Sequence, residues 1–236
     1  MSQSPNMEPC VSVVAFGHDH VRDDCKLIRL LRFYEITDND VPREECIYVP
    51  NMWEIYSLRR NSWKKLEANT NIGNSNNDNL YVNGMCHWWH IHRDYDTNID
   101  DPLLVSFDLC NEVFLTTPLL VDTIERFDIY HLTLLNGAIA FITYDGTTTF
   151  HIKILGEIGV KESWAKVFIV KPIPYFERII GVGKNGVIFF IKDDCELVWF
   201  DLSTKKIGEL GIKGRKFYCY IVSYKDRFLP IESFLI

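Results

Sequence analysis

LVSFDLCNEVFL, residues 104–115, returns in altered form as LVWFDLSTKKIGEL at residues 197–210. Each copy reads as an apolar strand ending at an aspartate, a polar turn, and a second strand. Weaker copies are Ile55 to Leu58 turning through Arg59–Ser62 into Trp63–Leu66, and Phe150 to Ile154 turning through a longer connection into Ser163–Val170. Three of the four are preceded by an Asn-Gly pair: Asn83-Gly84, Asn136-Gly137 and Asn185-Gly186. Asn-Gly suits the left-handed backbone of a tight hairpin turn. Each pair opens onto an apolar run: Met85 to Ile91, Ala138 to Tyr144, and Val187 to Ile191.

The Asn-Gly pairs are 53 and 49 residues apart (136 − 83 and 185 − 136). A period near 50 residues is that of a kelch-type blade rather than of a helical solenoid. A four-stranded sheet cannot cover both of its own faces, so such sheets stack. The expected fold is therefore all-β, built from kelch-like β-propeller-type repeats, about four blades in a ring that need not be complete. The repeats run Val11–Leu66, Leu80–Leu119, His131–Val170 and Ile179–Ile212, with a last strand near Tyr218 to Tyr224. The first lacks an Asn-Gly pair. Residues 1–10 read as a flexible tail, and 11–236 as the β domain.

Composition agrees with a packed core. Hydrophobic residues make up 47% and charged residues 24% of 236, which excludes disorder over most of the length. The 14% of aromatics favours strands, where flat rings pack on a pleated surface. Apolar runs are strand-sized, so no membrane association is expected, and the polar N-terminus is no signal peptide. Seven scattered cysteines without a C-x-x-C pair, and no Asn-x-Ser/Thr sequon, argue against a disulfide scaffold and for a cytoplasmic, reducing location. The formal charge of −7 disfavours nucleic acid and favours a basic protein partner.

No catalytic constellation stands out, and the chain reads as a binding domain rather than an enzyme. His87-Trp88-Trp89-His90-Ile91-His92 would put His90 and His92 on one face of a strand, but no third ligand is designated, and no metal or other cofactor is expected. The run from Asp94 to Asp101 starts like a calcium loop but has Ile99 and Val105 where glycine and glutamate are required. It reads instead as a solvated acidic loop suited to a partner contact. Adjacent carboxylates such as Asp23-Asp24 point to opposite faces of a strand and make poor acid–base partners. Trp63, Trp89, Trp164 and Trp199 recur at related places in the repeats and are expected in the core, whereas Trp53 is expected at a surface contact. The expected partner-binding residues are Trp53, Asp94, Tyr95, Asp96, Asp100, Asp101, Asp122, Glu125 and Asp128.

Taken together, AFGHDHVRDDCKLIRLL (15–31), IYSLRRNSWKKLE (55–67), YVNGMCHWW (81–89), LVSFDLCNEVFLTTPL (104–119), LNGAIAFITYDGTTTFHIKI (135–154), GVKESWAKVFIV (159–170), GVGKNGVIFF (181–190), LVWFDLSTKKIGELGIKG (197–214) and IVSYKDRFLPI (221–231) resemble the C-terminal F-box-associated domain of plant F-box proteins, with the S-locus F-box group most similar. His18 departs from that pattern, where the family often has tyrosine. The resemblance implies target recognition for a Skp–cullin–F-box type ubiquitin ligase, with S-RNase-like proteins in self-incompatibility as the targets. It also implies that the Skp adaptor and cullin join only through an upstream F-box, a segment not visible before Val11. The alternative is a truncated or general protein-interaction propeller acting outside ubiquitination.

Overall fold

The computed structural model describes residues 7–35, 52–68, 72–73, 79–94, 99–119, 129–144, 150–170, 176–215 and 219–221. These residues are nearly all strand, with two short 3-10 turns and no α-helix among them. They form four four-stranded antiparallel sheets, each visited in simple sequence order. Sheet 1 holds β1 (Met7–Asp19), β2 (Asp24–Glu35), β3 (Met52–Ser57) and β4 (Ser62–Leu66). Sheet 2 holds β5 (Asn79–Val82), β6 (Met85–Asp94), β7 (Ile99–Asp108) and β8 (Val113–Pro118). Sheet 3 holds β9 (Ile129–Leu135), β10 (Ala138–Tyr144), β11 (Phe150–Leu155) and β12 (Trp164–Val170). Sheet 4 holds β13 (Phe176–Val182), β14 (Val187–Lys192), β15 (Glu196–Asp201) and β16 (Ile207–Lys213).

Turn chemistry explains the regular order. Asn83-Gly84 joins β5 to β6 and Asn136-Gly137 joins β9 to β10, all four residues at positive φ, as a two-residue primed turn requires. Asn185-Gly186 sits at the same place between β13 and β14, in a loop two residues longer that Gly183 N–H closes on the Val187 carbonyl at 2.7 Å. The hairpins quoted first above, β7–β8 and β15–β16, share a second device. The Asp108 carboxylate accepts from the N–H groups of Cys110 and Asn111, Asp201 accepts from Ser203 and Thr204, and a positive φ follows at Glu112 and Lys205. Sheet 1 uses that device in its first turn, where Asp19 accepts from Val21 and Arg22 and Asp23 takes the positive φ. That is why the first repeat manages without an Asn-Gly pair.

Two compact units divide the chain: Met1–Arg126 with Lys153–Val167, and Phe127–Ile152 with Phe168–Ile236. In the first, Val14, Ile28, Leu30, Trp53 and Ile55 of sheet 1 pack on Cys86, Trp88, Val105 and Phe107 of sheet 2. Along β2, burial alternates, with Ile28 and Leu30 inside and Leu27 and Arg29 half-exposed. Cys86–Trp89 and Leu104–Phe107 are instead buried without a break, the mark of a sheet covered on both faces. Residues 153–167, in the same unit, bond to the end of β8: Gly159 N–H donates to Thr117 Oγ1 at 2.7 Å and Trp164 Nε1 to the Pro118 carbonyl at 3.1 Å. In the second unit, the Phe150 and Phe190 rings meet at 5.3 Å, tilted by 51°, and Ile180, Ile191 and Leu197 form a smaller cluster against Cys219 and Ile221.

Several expectations change. Strand β1 begins at Met7, inside the stretch expected as tail, and pairs it with Glu35. Cys219–Ile221, expected within a last strand, lies beside β13 through one backbone bond, Ile221 N–H to the Ile180 carbonyl at 2.7 Å, and is not itself a strand. Trp53 is buried, at 1% exposure, whereas Trp63 is 40% exposed and Trp199 only half-buried.

Candidate interaction surface

The two ends of the first unit differ. At one end all four hairpin turns are short and bonded to each other around a buried ion network. Lys26, 3% exposed, places its ammonium 2.9 Å from Asp19 Oδ2 and 2.9 Å from Glu112 Oε1, and donates to the Leu109 carbonyl at 2.7 Å. Arg22 adds a second cation to Asp19 at 3.0 Å and donates to the Cys110 carbonyl. Lys64 closes on the other Glu112 oxygen at 2.6 Å. Burial alone would raise the Asp19 pKa, but the hydrogen bonds from Lys26 and Arg22 outweigh it and hold the carboxyl far below its usual range. Glu112 is likewise lowered, its hydrogen bonds from Lys64 and Lys26 overcoming burial. Asp24 accepts from the Ser57 hydroxyl at 2.6 Å and from the Arg59 N–H at 2.9 Å. These bonds tie the turns of the two sheets to one another.

At the opposite strand ends, sixteen residues separate Glu35 from Met52 and four separate Asp94 from Ile99. The acidic run is therefore not all loop. Asp94, Asp100 and Asp101 are strand positions at the end of the β6–β7 ladder, with Asp94 opposite Ile99, Arg93 opposite Asp100 and His92 opposite Asp101. Tyr95, Asp96, Asp122, Glu125 and Asp128 lie outside the described residues. Trp53 has no part in this surface. It packs on Trp88 and donates its indole N–H inward to the Ile72 carbonyl at 3.2 Å.

His87 and His90 of β6 have separate surroundings. His87 is buried, 2.8 Å from Ser106 Oγ, and burial pushes its pKa down to about 4. His90 packs against Gly73, where a Cβ would come within 2.8 Å of its ring. Among the described residues, no three His, Cys, Asp or Glu side chains are grouped to hold a metal ion. Burial likewise raises the Cys86 thiol to about 12, leaving it an inert core group.

A feature missed in the sequence is a cleft of about 840 Å³ between the edge strands β4 and β8. Leu66, Ala68, Ile72 and Phe114 give it an apolar floor, and the Lys64–Glu112 pair forms one wall. Val113 in its lining and Leu115 beside it on β8 are exposed. Its lining comes from residues up to about fifty positions apart, and nothing local in SWKKL or VFLTTP announces it. On the outer face of sheet 1, Trp63 lies under the Arg29 guanidinium, 3.6 Å from the ring centre, and Glu54 grips that guanidinium at 2.6 Å.

A family model described as the F-box associated beta propeller domain matches residues 2–233. The chain is similar to F-box protein CPR1 of Arabidopsis thaliana, 26% identical over 84% of this chain and 51% of that protein. It is also similar to an F-box/kelch-repeat protein of the same plant, 21% identical over 84% of this chain and 50% of that one. The chain thus spans about half the length of the curated relatives it matches. Among solved structures, it superposes on the crystal structure of Porphyromonas gingivalis dipeptidyl peptidase 4 with a TM-score of 0.43 and 12% identity, over 80% of this chain and 29% of that one. Among the described residues, no helix is long and apolar enough to cross a membrane.

Proposed function

The chain belongs to the F-box associated β-propeller domain family, and from that premise we propose that it is the substrate-recognition module of a Skp–cullin–F-box type ubiquitin ligase. The match across residues 2–233 carries this reading, because it spans all four sheets. The module captures a protein, and the assembled ligase, joined through the F-box of the full-length protein, transfers ubiquitin to it in the cytoplasm. The chain itself supplies no chemistry in this scheme.

The target, on this reading, is a basic protein of the S-RNase kind, recognised in self-incompatibility. The resemblance to the S-locus group supports that choice, and so does the charge of −7. Contact is made at the end where the β6–β7 ladder closes. Asp94, Asp100 and Asp101 stand there at the strand ends, and the sequence adds Tyr95 and Asp96 between β6 and β7. Asp122, Glu125 and Asp128, between β8 and β9, contribute further acidic contacts.

Reconstitution tests this. The full-length gene product, combined with Skp adaptor, cullin and ubiquitin-charging enzymes, is expected to ubiquitinate a basic S-RNase-like ribonuclease. A ligase that assembles and modifies itself, yet leaves every ribonuclease of a panel both unbound and unmodified, would contradict the target. Capture without ubiquitin transfer by an assembled ligase would contradict the ligase role.

A further inference from the structure

The pairs Asn83-Gly84, Asn136-Gly137 and Asn185-Gly186 carry the same latent reaction. The glycine nitrogen can attack the asparagine Cγ, because glycine has no Cβ to obstruct the approach. The turn backbone holds that reaction back. At Asn185, with φ 61° and ψ 24°, the next nitrogen lies nearly opposite the side chain. Asn83 and Asn136 share the positive φ, at 52° and 53°. Each turn therefore has to open before a ring can close, and what holds it shut sets the rate.

The three turns are held differently. Gly186 is buried, and a Cβ there would lie 3.5 Å from Leu202 and 3.7 Å from Leu135. Its carbonyl accepts from the Leu202 N–H at 3.2 Å. Gly84 is half-buried beside the His20 ring, and its carbonyl accepts from the Leu109 N–H at 3.2 Å. Leu109 and Leu202 each follow the aspartate that organises the next hairpin of their sheet, so that hairpin backs the Asn-Gly turn. Sheet 3 has no such aspartate. Its chain reads Ile154-Leu155-Gly156 at that place, and Gly156 N–H closes the connection on the Ser163 carbonyl at 3.1 Å. Asn136 and Gly137 are both exposed, and a Cβ at Gly137 would meet nothing within 4 Å.

We propose that Asn136 is a site of spontaneous isoaspartate formation, ahead of Asn83 and Asn185, and that its product is a substrate for an S-adenosylmethionine-dependent protein carboxyl methyltransferase. The Gly137 nitrogen bonds to Cγ, and Nδ2 leaves as ammonia with the proton from that nitrogen, giving a succinimide. Water then opens the ring. Opening at Cγ gives aspartate. Opening at the backbone carbonyl leaves Gly137 joined through Cγ and frees the α-carboxylate. Methyl transfer to that carboxylate oxygen leaves S-adenosylhomocysteine. Isoaspartate lengthens the main chain between Leu135 and Ala138, the first pair of the β9–β10 hairpin, and puts a negative charge where a neutral amide stood. The first hairpin of sheet 3 is thus where this unit ages first.

Peptide mapping tests the site. The folded chain is kept at neutral pH and physiological temperature, sampled over weeks, digested, and read by mass spectrometry with electron-transfer fragmentation, which separates isoaspartate from aspartate. One net hydrogen bond resisting the opening changes the open population about fivefold. Asn136 is therefore expected to convert at least about fivefold faster than Asn83 or Asn185. A chain unfolded in guanidinium chloride is followed beside it, and there the three are expected to convert at like rates. Recombinant isoaspartyl methyltransferase with labelled S-adenosylmethionine should place its label at residue 136 of the aged, folded chain. Equal rates in the folded chain, a faster Asn83 or Asn185, or an Asn136 that stays intact while the unfolded chain converts would overturn the proposal. So would a lead for Asn136 that persists in denaturant, since local sequence and not the fold would then set it. Conversion without methyl label would contradict the methyltransferase substrate.

Discussion

The indoles of Trp53 and Trp88 lie 5.4 Å apart and 30° from parallel across the interface of the first two sheets. Both N–H groups are satisfied by one connecting segment, Trp53 by the Ile72 carbonyl and Trp88 by the Gly73 carbonyl at 3.1 Å. Trp63, ten positions after Trp53, is 40% exposed under Arg29. Trp53→Ala is therefore expected to cost about 3–5 kcal/mol of stability. Trp63→Ala, losing an exposed cation–π contact, is expected to cost about 1 kcal/mol. Denaturant titration separates the two, and equal losses would contradict the packing.

Lys26 is the cation closest to the buried Asp19 carboxylate. Lys26→Met is expected to destabilise by about 3 kcal/mol, because the buried Asp19 carboxylate is left with the half-exposed Arg22 as its cation. Asp19 and Glu112 both have lowered pKa values in the fold, so their contribution is present above the ordinary carboxylate range. It is lost as acid carries the pH down through the lower folded values. Wild-type urea midpoints should thus fall steeply below about pH 4, and those of Lys26→Met less steeply.

His87 carries a second acid dependence in a different window. Its pKa is about 4 in the fold, against 6.5 for the ordinary side chain. Between those values the unfolded chain binds the proton and the folded chain does not, so stability falls as pH falls. The loss by pH 4 is at most about 3 kcal/mol. His87→Gln should remove that slope, and an unchanged midpoint-versus-pH curve would show that His87 is not buried neutral.

Gly17 lets Tyr81 lie flat on β1; a Cβ there would sit 2.4 Å from a ring carbon. Gly17→Ala is expected to cost about 1–3 kcal/mol by overpacking. In a Tyr81→Ala background the added cost should fall well below that, a coupling that a double-mutant cycle reads directly.

Asn83-Gly84, Asn136-Gly137 and Asn185-Gly186 were legible because turn backbone is a local property, and all three join the first and second strands of their sheets. The Asp108 and Asp201 hairpins were legible for the same reason. Trp53 was misread because Pro50 obscures the start of β3. With the strand beginning at Met52, Trp53 and Ile55 share the inner face, while Tyr56 pairs with Trp63 on the outer one. Lys26 gave no signal, since two of its partners, Leu109 and Glu112, are 83 and 86 residues away. The β4–β8 cleft is illegible on the same ground. Of the acidic surface, Asp94, Asp100 and Asp101 are strand ends rather than loop, because the β6–β7 ladder runs on to Ile99.

Association kinetics give the sharpest test of recognition by the acidic end. The purified chain and a variant with Asp94, Asp96, Asp100 and Asp101 each changed to asparagine are measured against a panel of basic ribonucleases at two salt concentrations. Exposed charges act over a screening length of about 8 Å at physiological salt and chiefly set the association rate. The wild type is expected to associate more slowly at higher salt, and the variant to associate slowly at both while keeping its stability. Salt-independent association by the wild type, or no binding of any ribonuclease by the folded chain, would contradict recognition of a basic partner through this surface.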